Sequence, residues 1–223
     1  ITAVVTVADD GGSSGILRSD LGMLAPGDVR NCVSALAEVD PVMGELLNFR
    51  FKDGSLKGHS LGNLFLAALN ETSSSFDEAV KKFSHLAGVV GTVYPVTNES
   101  VTLSALLEDG RLIEGESHIG VHHDGPKNGI VKLMVNPEKP KAVDGVIKAL
   151  EKADIIVLGP GSLYTSIIPN LLVDGVVDAI KKSNAVKIYV CNIMSQAGET
   201  ENYTVSDHLC LLYTSDAADD LIG

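Results

Sequence analysis

Apolar and polar positions along the chain switch repeatedly between a two-residue and a 3.6-residue period, the mark of mixed strands and helices. Thr2 to Val7 (TAVVTV) is a β-branched, apolar run with strand character. It empties at once into Ala8-Asp9-Asp10-Gly11-Gly12-Ser13-Ser14-Gly15. Pro26-Gly27-Asp28-Val29-Arg30-Asn31 then starts a helix, with Pro at the first helical position and Asp28 at the positive helix end. Val33, Leu36 and Ala37 continue its apolar stripe. Leu61 to Leu69 is apolar on nearly all faces, which predicts a central, buried helix capped by Ser60 or His59. Ser75 to Ala87 predicts an amphipathic helix with Ser75 as cap and Phe76, Val80, Phe83 and Leu86 inward.

Thr92 to Thr97 reads as a short strand, at an edge because it contains Pro95. Val101 to Leu107 and Arg111 to His118 flank Glu108-Asp109-Gly110, a hairpin signal. Val131 to Val135 is a further strand. From there β and α alternate: a helix over Ala142 to Lys152, a buried-type strand over Asp154 to Leu158, and a helix reaching about Ile180. Lys187 to Asn192 is a parallel strand with a polar end, Ser195 to Glu201 a polar loop, and Thr204 to His208 a helix start. The fold class that follows is α/β, with a mainly parallel sheet and a β-hairpin insertion.

Two of these strands end in glycine-rich loops, the place where open α/β sheets build ligand crevices. In the first, Gly11, Gly12 and Gly15 let backbone approach a ligand closely, and Ser13 and Ser14 add hydroxyl donors. Asp9 and Asp10 would repel a bare phosphate, but they suit a site where a metal ion, or sugar and ribose hydroxyls, lie beside the phosphates. The second is Gly159-Pro160-Gly161-Ser162-Leu163-Tyr164-Thr165-Ser166. Arg30 and Asn31 stand in a helical first turn, where side chains can reach a crevice. Gly62 and Asn63 are poor helix formers near a helix start, and that end could meet an anion. Each feature also has a plain structural reading, as turn, cap or packing residues, and for His59 that reading is preferred. His122-His123-Asp124-Gly125 reads as a solvated loop, because no second ligand set stands at metal-binding spacing.

Composition narrows the classes. The formal charge of −12 disfavours nucleic acid or an anionic membrane as the main partner. No run of apolar residues is long enough for a membrane span, and no charged-then-apolar leader is visible. Cys32, Cys191 and Cys210 are too far apart, and too few, for a disulfide framework or zinc site, which fits a reducing compartment. Aromatics are 4% with no Trp, so stacking platforms are scarce. The chain begins inside a strand without Met, which suggests residues missing upstream. No GxGxxG follows the first strand, which counts against a nicotinamide dehydrogenase.

Six stretches carry a resemblance: ADDGGSSGILR, PGDVRNCVSAL, GHSLGNLFLAAL, GPGSLYTSIIPNLLV, VCNIMSQAGET and YTVSDH. In this order and spacing they closely resemble the gluconeogenesis factors, within the 2-phospho-L-lactate transferase (CofD-like) superfamily. The resemblance covers residues 1–209 and implies a Rossmann-like three-layer αβα domain, incomplete at both ends, in a cytoplasmic protein. The family opens with a strand and a GGGTG-type loop, which here would precede Ile1. Residues 210–223 (CLLYTSDAADDLIG) depart from the family, look like translated sequencing adapter, and are expected to be a non-native tail.

The resemblance also implies a partner, a nucleotide-diphosphate sugar of the UDP-N-acetylglucosamine type. That branch is linked to carbon metabolism, cell-wall precursor supply and cell shape, with no established catalysis. On this reading the amides of Gly11 to Gly15 and of Gly161 to Ser166 hold the diphosphate. Asp9, Asp10 and Asn192 meet hydroxyls or magnesium, Arg30 supplies charge, and Tyr203 packs on the base or sugar. The expected ligand-binding set is thus Asp9, Asp10, Gly11, Gly12, Ser13, Ser14, Gly15, Arg30, Asn31, Gly62, Asn63, Gly159, Gly161, Ser162, Thr165, Ser166, Asn192 and Tyr203. Catalytic residues stay unassigned and no cofactor is certain beyond magnesium at Asp9 and Asp10. Assembly as a homo-oligomer stays open. The alternative is a magnesium-dependent 2-phospho-L-lactate transferase acting on a deazaflavin.

Overall fold

The computed structural model describes residues 1–38, 40–120 and 129–214. The His122–Gly125 loop and Asp216, Asp219 and Asp220 of the tail lie outside the described residues. The chain divides into two compact units, Ile1–Ser100 and Val101–Gly223.

In the first unit β1 (Thr2–Val5) pairs in parallel with β2 (Thr92–Pro95), in register from Thr2↔Thr92 to Val5↔Pro95. Pro95 closes β2, which pairs with β1 alone among the described residues, as its missing N–H requires. Between these strands run α1 (Gly12–Leu21), α2 (Gly27–Leu36), α3 (Pro41–Asn48), α4 (Leu61–Glu71) and α5 (Phe76–Leu86). Val7, Val29, Val33, Leu66 and Phe83 are fully buried in its core. Phe83 meets the edge of Phe65 with centroids 5.7 Å apart.

Several local expectations shift. The glycine loop is shorter than its composition suggests: Gly15 N–H donates to Gly11 C=O at 3.0 Å, so helix begins at Gly12. Pro26 is the N-cap of α2 and not its first helical residue. Ser75 caps α5 in position only, because its hydroxyl donates to Asp77 Oδ1 at 2.6 Å. In α4 one face is buried while Phe65 is 40% exposed, so it is less central than its apolar content predicts. Helix α3 has no counterpart in the periodicity. Asp40 caps it by accepting from Val42 N–H, and Pro41 fits the N1 position.

In the second unit β3 (Thr102–Leu107) pairs antiparallel with β4 (Leu112–Glu114) and with β5 (Ile130–Asn136). The expected hairpin is present. Its second arm stops at Glu114, because Gly115 takes φ 95° and α6 (Glu116–Ile119) follows. Next come α7 (Asp144–Glu151) and β6 (Ile155–Leu158). Instead of one helix to Ile180 there is a π-turn over Leu163–Ile167, then α8 (Ile168–Leu171) and α9 (Val176–Lys182). Gly175, at φ 84°, makes the break. Strand β7 (Val186–Tyr189) pairs in parallel with β6, and α10 (Val205–Thr214) runs on through Cys210. No described helix is long and apolar enough to cross a membrane.

Candidate functional site

The first glycine loop is held from three sides within its own unit. Asp9 Oδ1 accepts from Gly11 N–H at 2.9 Å, closing an Asx turn at the end of the strand segment. Arg18, one face along α1, donates through Nη1 to the carbonyls of Ala8 at 3.2 Å and Asp9 at 3.1 Å. A Cβ at Gly15 would lie 2.1 Å from Asp10 O, so the loop's last position admits glycine alone. A Cβ at Gly27 would lie 2.5 Å from Ser14 Oγ and 2.8 Å from Asp9 Oδ2. The start of α2 therefore packs directly on the loop, and Gly27 N–H donates to Ser14 Oγ at 3.2 Å.

The start of α4 joins the same cluster. Ser60, one of the two expected caps, accepts from Asn63 N–H at 3.1 Å. Asn63 Nδ2 donates to Ser13 Oγ at 3.2 Å, and Ser13 Oγ is 3.0 Å from His59 Nδ1. All four residues are buried. Three helix N-termini, of α1, α2 and α4, thus meet around Ser13 and Ser14. Such ends favour negative charge.

Charge in the cluster is unevenly satisfied. Arg30 is 7% exposed and donates through Nη1 to Asn48 Oδ1 at 2.7 Å, while its buried Nε has no partner. Burial pushes the Arg30 guanidinium down, and the charge of Arg50 adds to this. Burial pushes the Asp28 carboxyl up, and so does the Asp9 charge; Arg30 opposes them. Asp9 and Asp28 are therefore electrostatic neighbours, which the sequence did not single out. Asn31 is exposed and bonds to none of these groups. A cavity of about 370 Å³ adjoins the loop, lined by Asp10, Gly15, Arg18, Ser19, Met23 and Ser100 among others.

The second loop, in the other unit, is finished differently. Gly159 takes φ 86°, and a Cβ there would lie 2.9 Å from Val190 O. Asn192 Nδ2 donates to Gly161 O at 2.8 Å, tying the loop to the segment after β7. Glu199, 4% exposed, accepts from Tyr164 N–H at 3.1 Å, Thr165 Oγ1 at 3.2 Å and Gln196 Nε2 at 2.9 Å. Ser162 Oγ donates to Gln196 Oε1 at 2.7 Å. The amides of Ser166 and Ile167 donate to Ser162 O. Tyr203 bonds Tyr164 through their hydroxyls at 3.0 Å and stands edge-on to His208. Burial, and then the bond to Tyr203, push the Tyr164 phenol far up.

Gly161, Ser162, Thr165 and Asn192 are thus gathered in one network, with Tyr203 joined to it through Tyr164. Three central members, Glu199, Gln196 and Tyr164, had not been assigned to the site. The first two stand in the VCNIMSQAGET stretch and the third in GPGSLYTSIIPNLLV, so the signal was present as motif and unread as contact. Arg18, at the end of ADDGGSSGILR, is the equivalent omission in the first unit. Among the described residues no three His, Cys, Asp or Glu side chains form a metal-holding group.

Comparison with known proteins agrees with this architecture. Residues 1–218 match the family described as 2-phospho-L-lactate transferase CofD. A gluconeogenesis-factor relative from Thermoanaerobacterium thermosulfurigenes is 54% identical over 213 residues, 96% of this chain and 66% of its own. The gluconeogenesis factor of Halalkalibacterium halodurans is 49% identical over 94% of this chain and 64% of its own. The chain therefore spans just under two thirds of the length of these relatives. A crystal structure of a member of the UPF0052 family from Bacillus halodurans superposes with a TM-score of 0.93 at 46% identity, covering 100% of this chain and 70% of that one. The fold is Rossmann-like α/β, and the chain belongs to the 2-phospho-L-lactate transferase CofD family, among relatives that carry the name gluconeogenesis factor.

Proposed function

We propose that the protein binds a nucleotide-diphosphate sugar of the UDP-N-acetylglucosamine type and acts as a regulatory protein, not as an enzyme. It would work in the cytoplasm, linking carbon metabolism to cell-wall precursor supply and cell shape. The observation that carries the reading is the meeting of three helix N-termini at the Gly11–Gly15 loop, beside the buried Arg30. Helix ends favour an anion, and in a protein of net charge −12 such ends suit a diphosphate. Gly11 to Gly15 and Arg30 would face the phosphates. Asp9 and Asp10 would face hydroxyls.

The test is thermal unfolding of the full-length protein with UDP-N-acetylglucosamine and, separately, with a deazaflavin. A ligand that binds only the folded state raises Tm with concentration. A rise with the nucleotide sugar alone supports the reading, and a rise with the deazaflavin alone replaces it. Light scattering of the same sample reads whether the protein assembles with copies of itself.

A second reading, a magnesium-dependent 2-phospho-L-lactate transferase, draws on the proximity of Asp9 and Asp28. Burial first, and then the Asp9 charge, hold the Asp28 carboxyl above its ordinary value, so the two carboxylates are electrostatic neighbours at a helix start. Two carboxylates are what the protein commonly offers magnesium, the other positions being water and phosphate oxygens. The residues present therefore fit the ion, with Asp9 and Asp28 holding it and Asp10 beside them. Bound there, it would neutralise charge on a transferring phosphate. Arg18 and Gly15 would keep the loop in place whichever reading holds.

A further inference from the structure

We propose that the outward face of α3 is an interaction surface for a second copy of this chain, the two helices packing antiparallel across a two-fold axis. This goes beyond the nucleotide-sugar reading and does not rest on it. The starting observation is an amphipathic helix with its apolar stripe turned outward. Of the large apolar residues Val42, Met43, Leu46 and Leu47, only Leu47 is buried. Val42 is 63% exposed, Leu46 43% and the C-cap Phe49 46%. The spacing i, i+4, i+7 sets these three in one stripe, and Met43 flanks it. A surface helix ordinarily turns such a stripe toward a core.

The opposite face holds the helix in place. Leu47 is buried, Asn48 Oδ1 accepts from Arg30 Nη1 at 2.7 Å, and Asn48 Nδ2 donates to Gly44 O at 2.9 Å. The far end is fixed as well. Leu61 N–H donates to Phe49 O at 2.8 Å, and Phe51 N–H donates to His59 O at 3.0 Å. Phe51 stands edge-on to Phe49 with centroids 5.1 Å apart. Rotating α3 to bury the stripe would break these bonds, so the fold itself presents Val42, Leu46 and Phe49 to a partner.

Charge selects that partner. Residues 40–58 carry Asp40, Glu45 and Asp53 against Arg50, Lys52 and Lys57, and all six are exposed. This balance, in a chain of net charge −12, gives anionic lipid headgroups nothing to attract. The order along the helix is informative: Asp40 caps its start, and Arg50 and Lys52 follow its end. An acid–apolar–base series complements itself when one copy is reversed. Laid antiparallel, Leu46 of one copy meets Leu46 of the other near the axis, Val42 meets Phe49, and Asp40 meets Arg50. The opposed macrodipoles then also attract. One eight-residue helix is about 12 Å long, and a contact built on it belongs to the weak, reversible class.

The experiment is sedimentation velocity of the whole protein over a range of micromolar concentrations at low salt. The weight-average mass should climb toward twice that of the chain. Leu46→Glu places two like charges at the axis and should raise Kd by roughly tenfold or more, with Tm at low concentration unchanged because the side chain is exposed. Asp40→Lys and Arg50→Glu should each abolish association, since each sets like charges face to face. Mixed in equal amounts they should associate again, because each altered end then meets its opposite. Should Asp40→Lys not fold for want of its cap, Leu46→Glu decides. A parent protein that stays monomeric, association that survives Leu46→Glu, or a mixture of the two folded charge variants that stays monomeric overturns the proposal. So does binding of the parent to phosphatidylglycerol vesicles that Leu46→Glu abolishes without any self-association, which would give this face to a lipid surface.

Discussion

The loops at Gly11–Gly15 and Gly159–Ser166 share a plan of parallel strand, glycine turn and helix, yet their helix starts are completed in opposite ways. At Gly161–Ser166 the protein supplies the anion itself: Glu199 caps the turn through Tyr164 N–H and Thr165 Oγ1. At Gly11–Gly15 the carboxylate is local, Asp9 accepting from Gly11 N–H, and the bonds from α2 and α4 come through hydroxyls and amides. A glycine pattern reports that backbone comes close to something. Whether that something is an internal carboxylate or an external ligand depends on a residue far away in sequence, here 34 and 35 positions on.

The comparison can be broken most directly at Glu199. Glu199→Ala leaves the Tyr164 amide, the Thr165 hydroxyl and the Gln196 amide without their acceptor in a buried site, and should cost roughly 3 kcal/mol or more. Urea unfolding with an unchanged m-value measures it; a loss under about 1 kcal/mol would mean that the second loop is not internally closed. Gly15→Ala comes next. Its Cβ has no room beside Asp10 O, so the loop must shift, at roughly 1–3 kcal/mol and with loss of any ligand response in the first unit. Ser60→Ala removes the α4 cap and should cost about 1 kcal/mol by the same measurement.

The smallest effect is at Asp28, and its sign is opposite. The folded-state carboxyl titrates above its ordinary value of 3.8, so just above that pH the folded protein holds more proton than the unfolded chain. Stability then falls as pH rises through that window and stays lowered at neutral pH. Asp28→Asn should therefore raise Tm at pH 7 by about 1–3 °C, a gain that disappears below the ordinary carboxylate range. Magnesium should produce a similar rise in the parent protein and none in the variant if Asp9 and Asp28 share the ion.

Much of the fold was legible. The hairpin at Glu108–Gly110, the strand pairs' apolar runs and the Ser60 cap follow from local chemistry that acts over a few residues. What escaped was equally local in cause but subtler. The π-turn after Ser162 and the break at Gly175 interrupt an apolar stretch whose period still reads as helix. Helix α3 is short and mixed, so its periodicity is weak, although Asp40-Pro41 is a cap signal that could have found it. At the site, Ser13, Ser14 and Asn63, identified from residue type, are brought together, and Arg30, identified from its place in a helical first turn, is buried beside them. Asn31 was identified on the same ground as Arg30, but it lies on the exposed side of that turn and stays outside.

By itself the sequence determined which segments are strands and helices, where two glycine loops end strands, and which family the motifs mark. These follow from side-chain period, from backbone freedom at glycine and from motif order, all of which are written along the chain. Only the tertiary structure decided that Glu199 closes one loop from within and that Arg30, threaded across Gly62, lies buried beside the other with the Asp28 charge near it. Pairing and desolvation are relations among residues distant in sequence, and no local pattern encodes them.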